Sequence, residues 1–468
     1  MNLTELLDNM ACCLPQKSAL IEDDAIVSYE ALRKQTVEYA AQLERLNLQS
    51  GQRVGLRLPN SIQYVALTFA LWRINAVVVP IPMEFKEEEV STIAASMHLA
   101  AIISREPGKA GVPILAGCYL TWSGKPVTSR HDGQNELNIA FIRFTSGTTN
   151  IRKGVVLRHE TIRERILAAN KTLCVSSADI VMWNLPMSHH FLVTIVLYLS
   201  MGATIVLARH VLAGPFLEAV RRWNGTMLYT SPFHYGLLAR DNSSRRMDSV
   251  RLAVSTTCPL PREVAASFHA RHGLHLTQAL GIIELGLVCV NHDPAGRWDS
   301  VGRPQPDYAV QIRNPDPEGF GEVVFAGPGF FDAYDDPWTL RSELMPDDWF
   351  ATGDIGRLDD QGYLFLAGRK SAVINLAGRK VFPDEIEAVL NRHPAILESR
   401  VFGLAHVRLG QTIAAEVVAR ASVDPESLRD YCRVHLSPEK VPGSIQQVAC
   451  IEKTAVTGKI RRSPPSYE

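Results

Sequence analysis

The feature that most limits the possible folds is a regular alternation of short β-branched runs with amphipathic helical patterns. The runs at 53–58, 76–81 and 100–104 predict buried strands, and the segments 28–46 and 61–74 place apolar residues at helical spacing. Further on, TIVLA, TMLYT and RLAVST predict three more strands. This alternation is typical of a layered α/β fold in which most strands are parallel.

The sequence pattern changes in the last third of the chain. From about 298 to 366, short strands such as GEVVFAG and GYLFLAG are separated by glycine and proline, which predicts a small β-rich subdomain. After it comes a compact α+β tail, whose helix begins at Pro383. A chain of 468 residues is too long for one core. We therefore expect a large N-terminal domain (1–368) of layered α/β subdomains plus the β-rich subdomain, hinged to a small C-terminal α+β domain (369–468).

Composition argues against several classes of function. The net charge of −1 gives no electrostatic footprint for nucleic acid or an acidic membrane surface. The eight cysteines form no CxxC pair, which argues against zinc or a disulfide framework and favours a reducing compartment. The acidic N-terminal segment does not resemble a signal peptide, and the longest apolar stretch (192–208) is interrupted by Gly202. We expect a soluble, cytoplasmic protein without nucleic-acid or membrane partners.

A hydroxyl-rich segment, FTSGTTNIRKGV (144–155), lies between two predicted strands, NIAFIRF and GVVL. In such a turn, backbone N–H and side-chain O–H groups can converge on phosphate oxygens, and a lysine adds positive charge. The spacing is not that of a Walker loop, because no Gly-Lys-Ser/Thr opens a helix. A polar surface turn is the alternative. The candidate phosphate-binding residues are Thr145, Ser146, Gly147, Thr148, Thr149 and Lys153.

Four further motifs follow in the second half of the chain. LGIIE places Glu284 just after the short predicted strand HLTQAL, where a carboxylate suits a magnesium ion. ATGD places Asp354 after a Thr-Gly turn, where it can accept hydrogen bonds from two ribose hydroxyls. GRK contains Arg369, and TAVTGKIRR places Lys459 on a glycine turn near the C-terminus. Each motif is weak alone, whereas their joint order and spacing are specific.

With these motifs the chain resembles the adenylate-forming superfamily: acyl- and aryl-CoA synthetases, carrier-protein ligases and the adenylation domains of peptide synthetases. The resemblance covers nearly the whole chain and includes GQRVGLRLPNS, TTCPLPREV and VGRPQP. It implies a two-step reaction that uses ATP and Mg²⁺. A carboxylate attacks the α-phosphate to give an acyl-adenylate and pyrophosphate, and a thiol then takes the acyl group and releases AMP. Between the steps, the small domain rotates and brings the loop around Gly378 to the thiol channel.

The resemblance implies roles for individual residues. Three residues are implied to be catalytic: Lys459, which bridges the substrate carboxylate and a ribose oxygen, Glu284, which holds magnesium, and Thr145 of the phosphate loop. Asp354 takes the ribose-hydroxyl position, and Arg369 contacts ribose or phosphate. The segment that contacts adenine is Thr256, Thr257 and Cys258.

The chain departs from the family pattern in three places. One is the hinge, where Ser371, with Ala372 beside it, stands at a position at which Asp or Lys is common. Leu280 replaces the aromatic residue that stacks on adenine, and Ile283 replaces a threonine that donates to the α-phosphate, a loss of about 1–3 kcal/mol. Asn150 and Arg152 replace glycine and proline in the phosphate loop, and asparagine tolerates the left-handed geometry of glycine. These departures leave open an alternative of another class, a degenerate protein that binds AMP or an acyl-adenylate without turnover.

The segment NLPMSHHF (184–191) matches the part of the family that opens the acid pocket and precedes a helix from about 192. A capped helix start with one imidazole bonded in the interior explains a histidine pair equally well. No aspartate lies here to hold an ammonium group, so we expect an acid other than an α-amino acid. Phe191, Phe233, Tyr235 and Leu280 favour an apolar pocket for an aryl or other planar acid, with a fatty acid as the alternative. For Phe233 and Tyr235 the core is the commoner place, because they follow a predicted strand. The candidate substrate-binding residues are His189, His190, Phe191, Leu280 and Gly281.

The acceptor thiol stays open between coenzyme A and a phosphopantetheinyl carrier protein. The chain begins close to its first predicted strand, without the N-terminal extension common in larger CoA ligases, which favours a stand-alone ligase that loads a carrier protein. Arg461 and Arg462 suit an acidic carrier helix or the phosphates of CoA, and a solvated tail explains them equally well.

Overall fold

The computed structural model describes residues 1–108, 110–123, 137–144, 154–208, 212–243, 245–376, 379–406 and 410–453. These residues form two compact units. Apart from the gaps just given, the first unit comprises 1–144, 154–309 and 326–348, and the second comprises 310–325 and 349–453. The β-rich segment is therefore divided between the two units. The expected domain border at 368 falls inside the second unit and stays a prediction.

The described residues include the following helices, numbered in chain order: α1 (Thr4–Cys13), α2 (Tyr29–Arg45), α3 (Ile62–Arg73), α4 (Glu87–Ser96), α5 (His159–Leu173), α6 (Met187–His190), α7 (Val196–Ser200), α8 (Ala213–Trp223), α9 (Pro232–Ala239), α10 (Arg262–His272), α11 (Arg341–Leu344), α12 (Pro383–Leu390) and α13 (Pro425–His435).

The strands are β1 (Ser18–Glu22), β2 (Ala25–Ser28), β3 (Arg53–Arg57), β4 (Val77–Pro80), β5 (Ala101–Ser104), β6 (Val112–Ile114), β7 (Cys118–Trp122), β8 (Ile139–Phe144), β9 (Gly154–Arg158), β10 (Ile180–Trp183), β11 (Thr204–Leu207), β12 (Met227–Thr230), β13 (Leu252–Ser255), β14 (Thr277–Ile282), β15 (Gly286–Val290), β16 (Arg303–Pro304), β17 (Ala309–Arg313), β18 (Gly321–Ala326), β19 (Ala333–Tyr334), β20 (Thr339–Leu340), β21 (Phe350–Leu358), β22 (Leu364–Arg369), β23 (Ile374–Leu376), β24 (Arg379–Val381), β25 (Ile396–His406), β26 (Gly410–Ala419) and β27 (Ser444–Gln447).

Two nine-stranded sheets form the first unit. One has the order β16-β15-β14-β13-β12-β10-β11-β1-β2, and its neighbours from β14 to β1 run parallel. The other has the order β20-β19-β9-β8-β4-β3-β5-β7-β6, with parallel pairing from β8 to β5. The expected α/β class is confirmed, and the loops after β10, β12, β13 and β14 meet at one edge because these strands share a direction.

Local signals in the sequence explain where the helices begin and end. Ser28 caps α2 and Ser61 caps α3, each hydroxyl accepting from the backbone N–H three residues on, at 3.2 and 3.1 Å. Helix α10 ends at Gly273, which takes the left-handed conformation (φ +74°) that the sequence predicts for a closing glycine.

One face of the first sheet packs against α8, α9 and α10. Phe216, Leu217, Phe268 and Tyr235 are buried in this core. Tyr235 donates its hydroxyl to the carbonyl of Val254 at 2.9 Å, so the prediction that it lines an acid pocket is wrong. An aromatic residue that follows a strand is a natural core residue, because the sheet buries it against the next helix. Its neighbour Phe233 is 64% exposed and stays outside the core.

The second unit contains two sheets. The first has the order β17-β18-β21-β22, and the second has the order β24-β23-β26-β25 with β27 parallel to β26. Helices α12 and α13 supply Ile386, Leu390 and Leu428 to its core. As predicted, α12 begins at Pro383, which fits the first helical turn because its missing N–H has no partner to lose there.

No helix among the described residues combines the length and the hydropathy that crossing a membrane requires.

Candidate active site

Buried polar atoms without hydrogen-bond partners gather where the parallel strands of the first sheet end. Within the described residues these are Oδ1 of Asn184, which follows β10, Oγ1 of Thr230 at the end of β12 and Oγ of Ser255 at the end of β13. Each such atom costs about 1–3 kcal/mol if it stays unpaired. In open α/β sheets, ligands bind outside the carboxyl ends of the strands. The three atoms therefore mark a polar ligand site at this edge.

Aromatic side chains surround the same strand ends. The Trp183 ring stacks on Tyr229 at 6.0 Å between centroids and 21° between planes. His190 approaches Trp183 edge-on at 6.4 Å, and Tyr198 does so at 6.2 Å. The indole Nε1 of Trp183 is itself buried without a partner in the described structure. Trp183 and Tyr198 are fully buried and Tyr229 is nearly so, so this cluster forms the core behind the strand ends, and half-buried His190 is its most exposed member.

The segment that carries the two histidines is helical, but its helix starts earlier than predicted. Helix α6 begins at Met187 rather than near 192, so His189 and His190 lie within the helix and not before it. A π-helical turn (Phe191–Ile195) separates α6 from α7, and such turns are rare and concentrate at functional sites. The Thr194 hydroxyl donates to the carbonyl of His190 inside this turn.

The start of α6 is held by the side chain of Asn60. Its Nδ2 donates to the carbonyl of Leu185 at 2.8 Å, and its Oδ1 accepts from the backbone N–H of Met187 at 2.8 Å. Phe191 is 2% exposed and packs between Tyr64 (5.5 Å) and Trp72 (6.1 Å). The Phe191 side chain therefore anchors the histidine segment in the core.

His189 is kept neutral by its surroundings. Burial lowers the pKa of its imidazole, and the charge of Arg143 adds to the effect, whereas Glu84 opposes it. The Nε2 atom lies 3.7 Å from Oε1 of Glu84, too far for a hydrogen bond, and is buried without a partner in the described residues. The interior hydrogen bond offered as an alternative explanation is therefore not observed for this nitrogen.

Glu284 lies in the turn between β14 and β15, as predicted. Arg165 fixes this turn from behind: its guanidinium donates to the carbonyls of Ile283 (2.9 Å), Glu284 and Gly329. The carboxylate accepts a hydrogen bond from the Tyr334 hydroxyl at 3.1 Å. Burial raises the pKa of Glu284, against the opposing hydrogen bonds and the charges of Arg165 and Arg143.

A magnesium ion fits the donor chemistry at Glu284. Mg²⁺ is usually held by one or two carboxylates together with substrate phosphates, rather than by a cage of protein ligands. No group of three or more His, Cys, Asp or Glu suited to a metal occurs in the described part of the chain. Glu284 would therefore supply one oxygen ligand, with the others coming from the nucleotide, and this role stays a prediction.

The expected adenine segment follows β13 directly. Thr256 is tied to the sheet, because its N–H donates to the Thr230 carbonyl (3.1 Å) and its hydroxyl to the Ala279 carbonyl (3.3 Å). Thr257 has φ +81°, a strained conformation for a β-branched residue, and Thr257 and Cys258 are exposed. Strain of this kind is concentrated at ligand sites, which fits the expected role.

The two predicted residues of β14 lie beside this segment. Leu280 is half-buried and Gly281 is exposed, and the pairing of β14 with β15 shifts register between them. Such irregularities redirect side chains and occur next to active sites. The structure thus brings together, on the first unit, the histidine segment, the adenine segment, β14 and Glu284.

Asp354 and Arg369 meet within the second unit. They are opposite one another in the β21–β22 pair, and Nε of Arg369 lies 2.9 Å from Oδ1 of Asp354. A further nitrogen of Arg369 donates to the Thr352 carbonyl at 2.9 Å. Gly353, with φ +71°, makes the turn-like kink before Asp354. The two residues expected to bind ribose are therefore preassembled as an ion pair, in which Asp354 is buried and the Arg369 side chain is largely exposed.

Several predicted residues lie outside the described residues. These are Lys459, Gly378, Arg461, Arg462, and the phosphate-loop set of Thr145, Ser146, Gly147, Thr148, Thr149 and Lys153. Their roles stay predictions.

Several residues at the site escaped sequence reasoning, among them Thr230, Ser255 and Arg143, the penultimate residue of β8. Burial lowers the pKa of its guanidinium to about 10, so it remains protonated at neutral pH. The available signal was a single charge in an otherwise apolar strand, NIAFIRF, which strand patterns alone do not interpret.

Comparison with known families gives two matches in chain order. Residues 8–335 match the model of the AMP-binding enzyme family, and residues 385–459 match that of the AMP-binding enzyme C-terminal domain. The sulfoacetate–CoA ligase of Cupriavidus necator is 28% identical, over 98% of this chain and 96% of its own. The long-chain-fatty-acid–CoA ligase of Yersinia pestis is 26% identical, over 98% and 93%.

Solved structures share the fold. ATP-bound MatB from Rhodopseudomonas palustris superposes with a TM-score of 0.84 at 22% identity, covering 98% of this chain and 97% of its own. The o-succinylbenzoate CoA synthetase MenE from Bacillus subtilis, bound to its acyl-adenylate OSB-AMP, gives 0.85 at 21% identity, covering 98% and 96%. The expected enzyme class, an AMP-forming acid–thiol ligase, is confirmed. The chain belongs to the AMP-binding enzyme family, and thus to the adenylate-forming superfamily that its motifs indicate.

Proposed function

We propose that this protein activates a carboxylic acid with ATP, releases pyrophosphate, and passes the acyl group from the adenylate to coenzyme A with release of AMP. The observation that carries the proposal is the meeting, on the first unit, of Glu284 with the unsatisfied polar atoms at the strand ends. A carboxylate and a triphosphate repel one another, so a site for this reaction must supply positive charge and aligned donors.

Each part of the site has a task in adenylation. Glu284 would hold Mg²⁺, which supplies Lewis-acid charge at the phosphates. Arg165 keeps the Glu284 turn rigid through its contacts with the Ile283 and Glu284 carbonyls, and its third contact ties the turn to Gly329. Neutral His189 lies at the acid side and carries no charge that would pair with the substrate carboxylate. We propose that Lys459 and the phosphate-loop residues hold the reacting carboxylate and the phosphates, as in the family pattern.

The substrate that we propose is an aryl or other planar carboxylic acid. The half-buried His190 ring, which packs on the buried Trp183 and Tyr229 pair, favours a flat apolar group. The unpaired Asn184, Thr230 and Ser255 atoms favour a substituent on it that forms hydrogen bonds. A fatty acid is the second candidate, supported by the relative named for long-chain fatty acids. An α-amino acid is disfavoured, because no aspartate is present in 184–198.

Pyrophosphate exchange with a panel of acids tests this proposal. We expect exchange with substituted benzoates to exceed exchange with octanoate, and exchange with alanine or leucine to be near background. Strong exchange with the amino acids would refute the substrate class. Binding of nucleotide without exchange for any acid would instead support the degenerate binding protein.

The acceptor needs its own experiment. Both relatives reported above are named as CoA ligases, which supports coenzyme A over a phosphopantetheinyl carrier protein. The preformed acyl-adenylate should be offered to CoA and to a holo-carrier at equal concentration. We expect faster AMP release with CoA, and preferential loading of the carrier would overturn this choice.

A further inference from the structure

Arg143 is a half-buried charged residue near the end of β8. Its Nε is buried and lacks a hydrogen-bond acceptor in the described residues. It lies on β8, whose residues Phe141 and Ile142 are fully part of the core. A buried charge left uncompensated costs several kcal/mol, whereas an anion in hydrogen-bond contact offsets that cost.

Two other buried donors near Arg143 share this condition. The Tyr64 hydroxyl and Nε2 of His189 are buried without hydrogen-bond partners among the described residues. Burial raises the pKa of Tyr64, so its hydroxyl stays protonated, and the Arg143 charge acts on both Tyr64 and His189. The elements that carry them are fixed to each other, because Asn60 ties the start of α3 to α6 and the Tyr64 ring lies 5.5 Å from Phe191.

The position of Arg143 relative to Glu284 indicates which anion could bind to Arg143. The largest charge interaction of Arg143 is with Glu284, which also responds to Arg143. Oε1 of Glu284 is occupied by the Tyr334 hydroxyl. In the strand pairing, Arg143 is opposite Val155, and Val155 is opposite Tyr334. Only β9 therefore separates Arg143 from the tyrosine that donates to Glu284. A phosphate bound to a metal at Glu284, next to the acid, would lie beside Arg143.

We propose that Arg143 binds the α-phosphate of the nucleotide, in place of the hydroxyl donor that Ile283 cannot supply; this inference rests on the proposed adenylation. When the substrate carboxylate oxygen bonds to the α-phosphorus and the bond to the β-phosphate oxygen breaks, pyrophosphate leaves. Negative charge persists on the non-bridging oxygens throughout. A guanidinium offers those oxygens two parallel donors, which a threonine does not.

Binding of AMP and of adenosine to the same proteins, measured by calorimetry, tests this contact without any need for turnover. We expect wild type to prefer AMP. Arg143→Met should weaken AMP binding by more than about tenfold and leave adenosine affinity unchanged, because only AMP carries the phosphate. Arg143→Lys should retain part of the preference. Arg163→Met, an exposed change on α5, is the matched control and should behave as wild type.

Two results would overturn the assignment: an AMP preference that Arg143→Met does not reduce, or a parallel loss of AMP and adenosine binding, which indicates general damage. Thermal melting of Arg143→Lys and Arg143→Met identifies a folding defect. Pyrophosphate exchange separates the two proposals. If wild type shows no exchange with any acid, the ligase proposal is refuted. The effect of Arg143→Met on the preference for AMP still tests the phosphate contact in that case. A loss of exchange confined to acids with a second anionic group would make Arg143 a substrate-selecting residue and refute the α-phosphate contact.

Discussion

The two units prepare their polar groups in opposite ways. On the first unit, Asn184, Thr230 and Ser255 end buried and unpaired at the strand edge. On the second unit, Asp354 and Arg369 are already paired, with the Arg369 side chain 55% exposed. Unpaired buried groups cost stability until a ligand arrives, whereas Asp354 is already satisfied by an arginine whose exposed side chain can leave it when a ligand binds. The first unit is therefore built for tight selection, and the second for a contact that forms and breaks.

The largest effect should follow Glu284→Gln in the first unit. Loss of the one carboxylate suited to magnesium should reduce pyrophosphate exchange by about 100-fold or more, because the phosphates lose their metal contact. The matched control is Glu263→Gln on the exposed side of α10, which should leave exchange unchanged. If Glu284→Gln showed full exchange at ordinary Mg²⁺ concentration, Glu284 would not be the magnesium ligand.

Arg165→Met should have the next largest effect, this time on folding. Three backbone carbonyls would lose a buried charged donor, and we expect a loss of about 3 kcal/mol in unfolding free energy, measured by urea denaturation. Arg163→Met, two residues away and exposed, is the control. Equal stability of the two variants would show that the Glu284 turn does not depend on Arg165.

A smaller effect is expected in the second unit. Arg369→Met should weaken ATP binding roughly tenfold and lower the free energy of unfolding by about 1–2 kcal/mol, because the buried Asp354 loses its charged partner. Arg357→Met is a matched control, because this arginine lies over the Phe320 and Phe365 rings of the same sheet. If Arg369→Met strongly destabilised the protein without altering ATP affinity, the pair would be structural and the contrast between the units would fail.

The smallest effect concerns the strained backbone at Thr257. Thr257→Gly should stabilise the protein by about 1 kcal/mol, because glycine adopts φ +81° without the clash of a β-branched side chain. Thr257→Ala keeps a Cβ and serves as the comparison. Melting temperatures of the two variants decide the matter, and a glycine variant no more stable than the alanine variant would argue against stored strain.

Much of this arrangement follows from local sequence patterns. The strands β3, β4, β5, β8 and β9 are all predicted by their β-branched runs, and Glu284 falls in the turn that its motif indicates. The hydrophobic periodicity of a segment and the residue types in its turns are local properties, so the elements they predict do not depend on the tertiary fold. The start of α6 was misjudged by about five residues, because Pro186 and the tie to Asn60 begin the helix before the apolar pattern does.

Local patterns could not predict which distant residues the fold brings together at the site. Tyr64, Arg143 and His189 lie far apart in sequence, and only the crossing of β8, α3 and α6 brings their unpaired donors to one place. The prediction for Tyr235 was wrong for the same reason. An aromatic residue after a strand can lie in the core or line a pocket, and only its packing partners distinguish the two.

The most direct test of the central claim is a single-turnover experiment that detects the AMP ester by mass spectrometry. The enzyme, ATP, Mg²⁺ and a substituted benzoate are mixed without any thiol. We predict that wild type accumulates one acyl-adenylate per site while Glu284→Gln accumulates almost none. Nucleotide binding by wild type with no AMP ester from any acid of the panel would contradict the account.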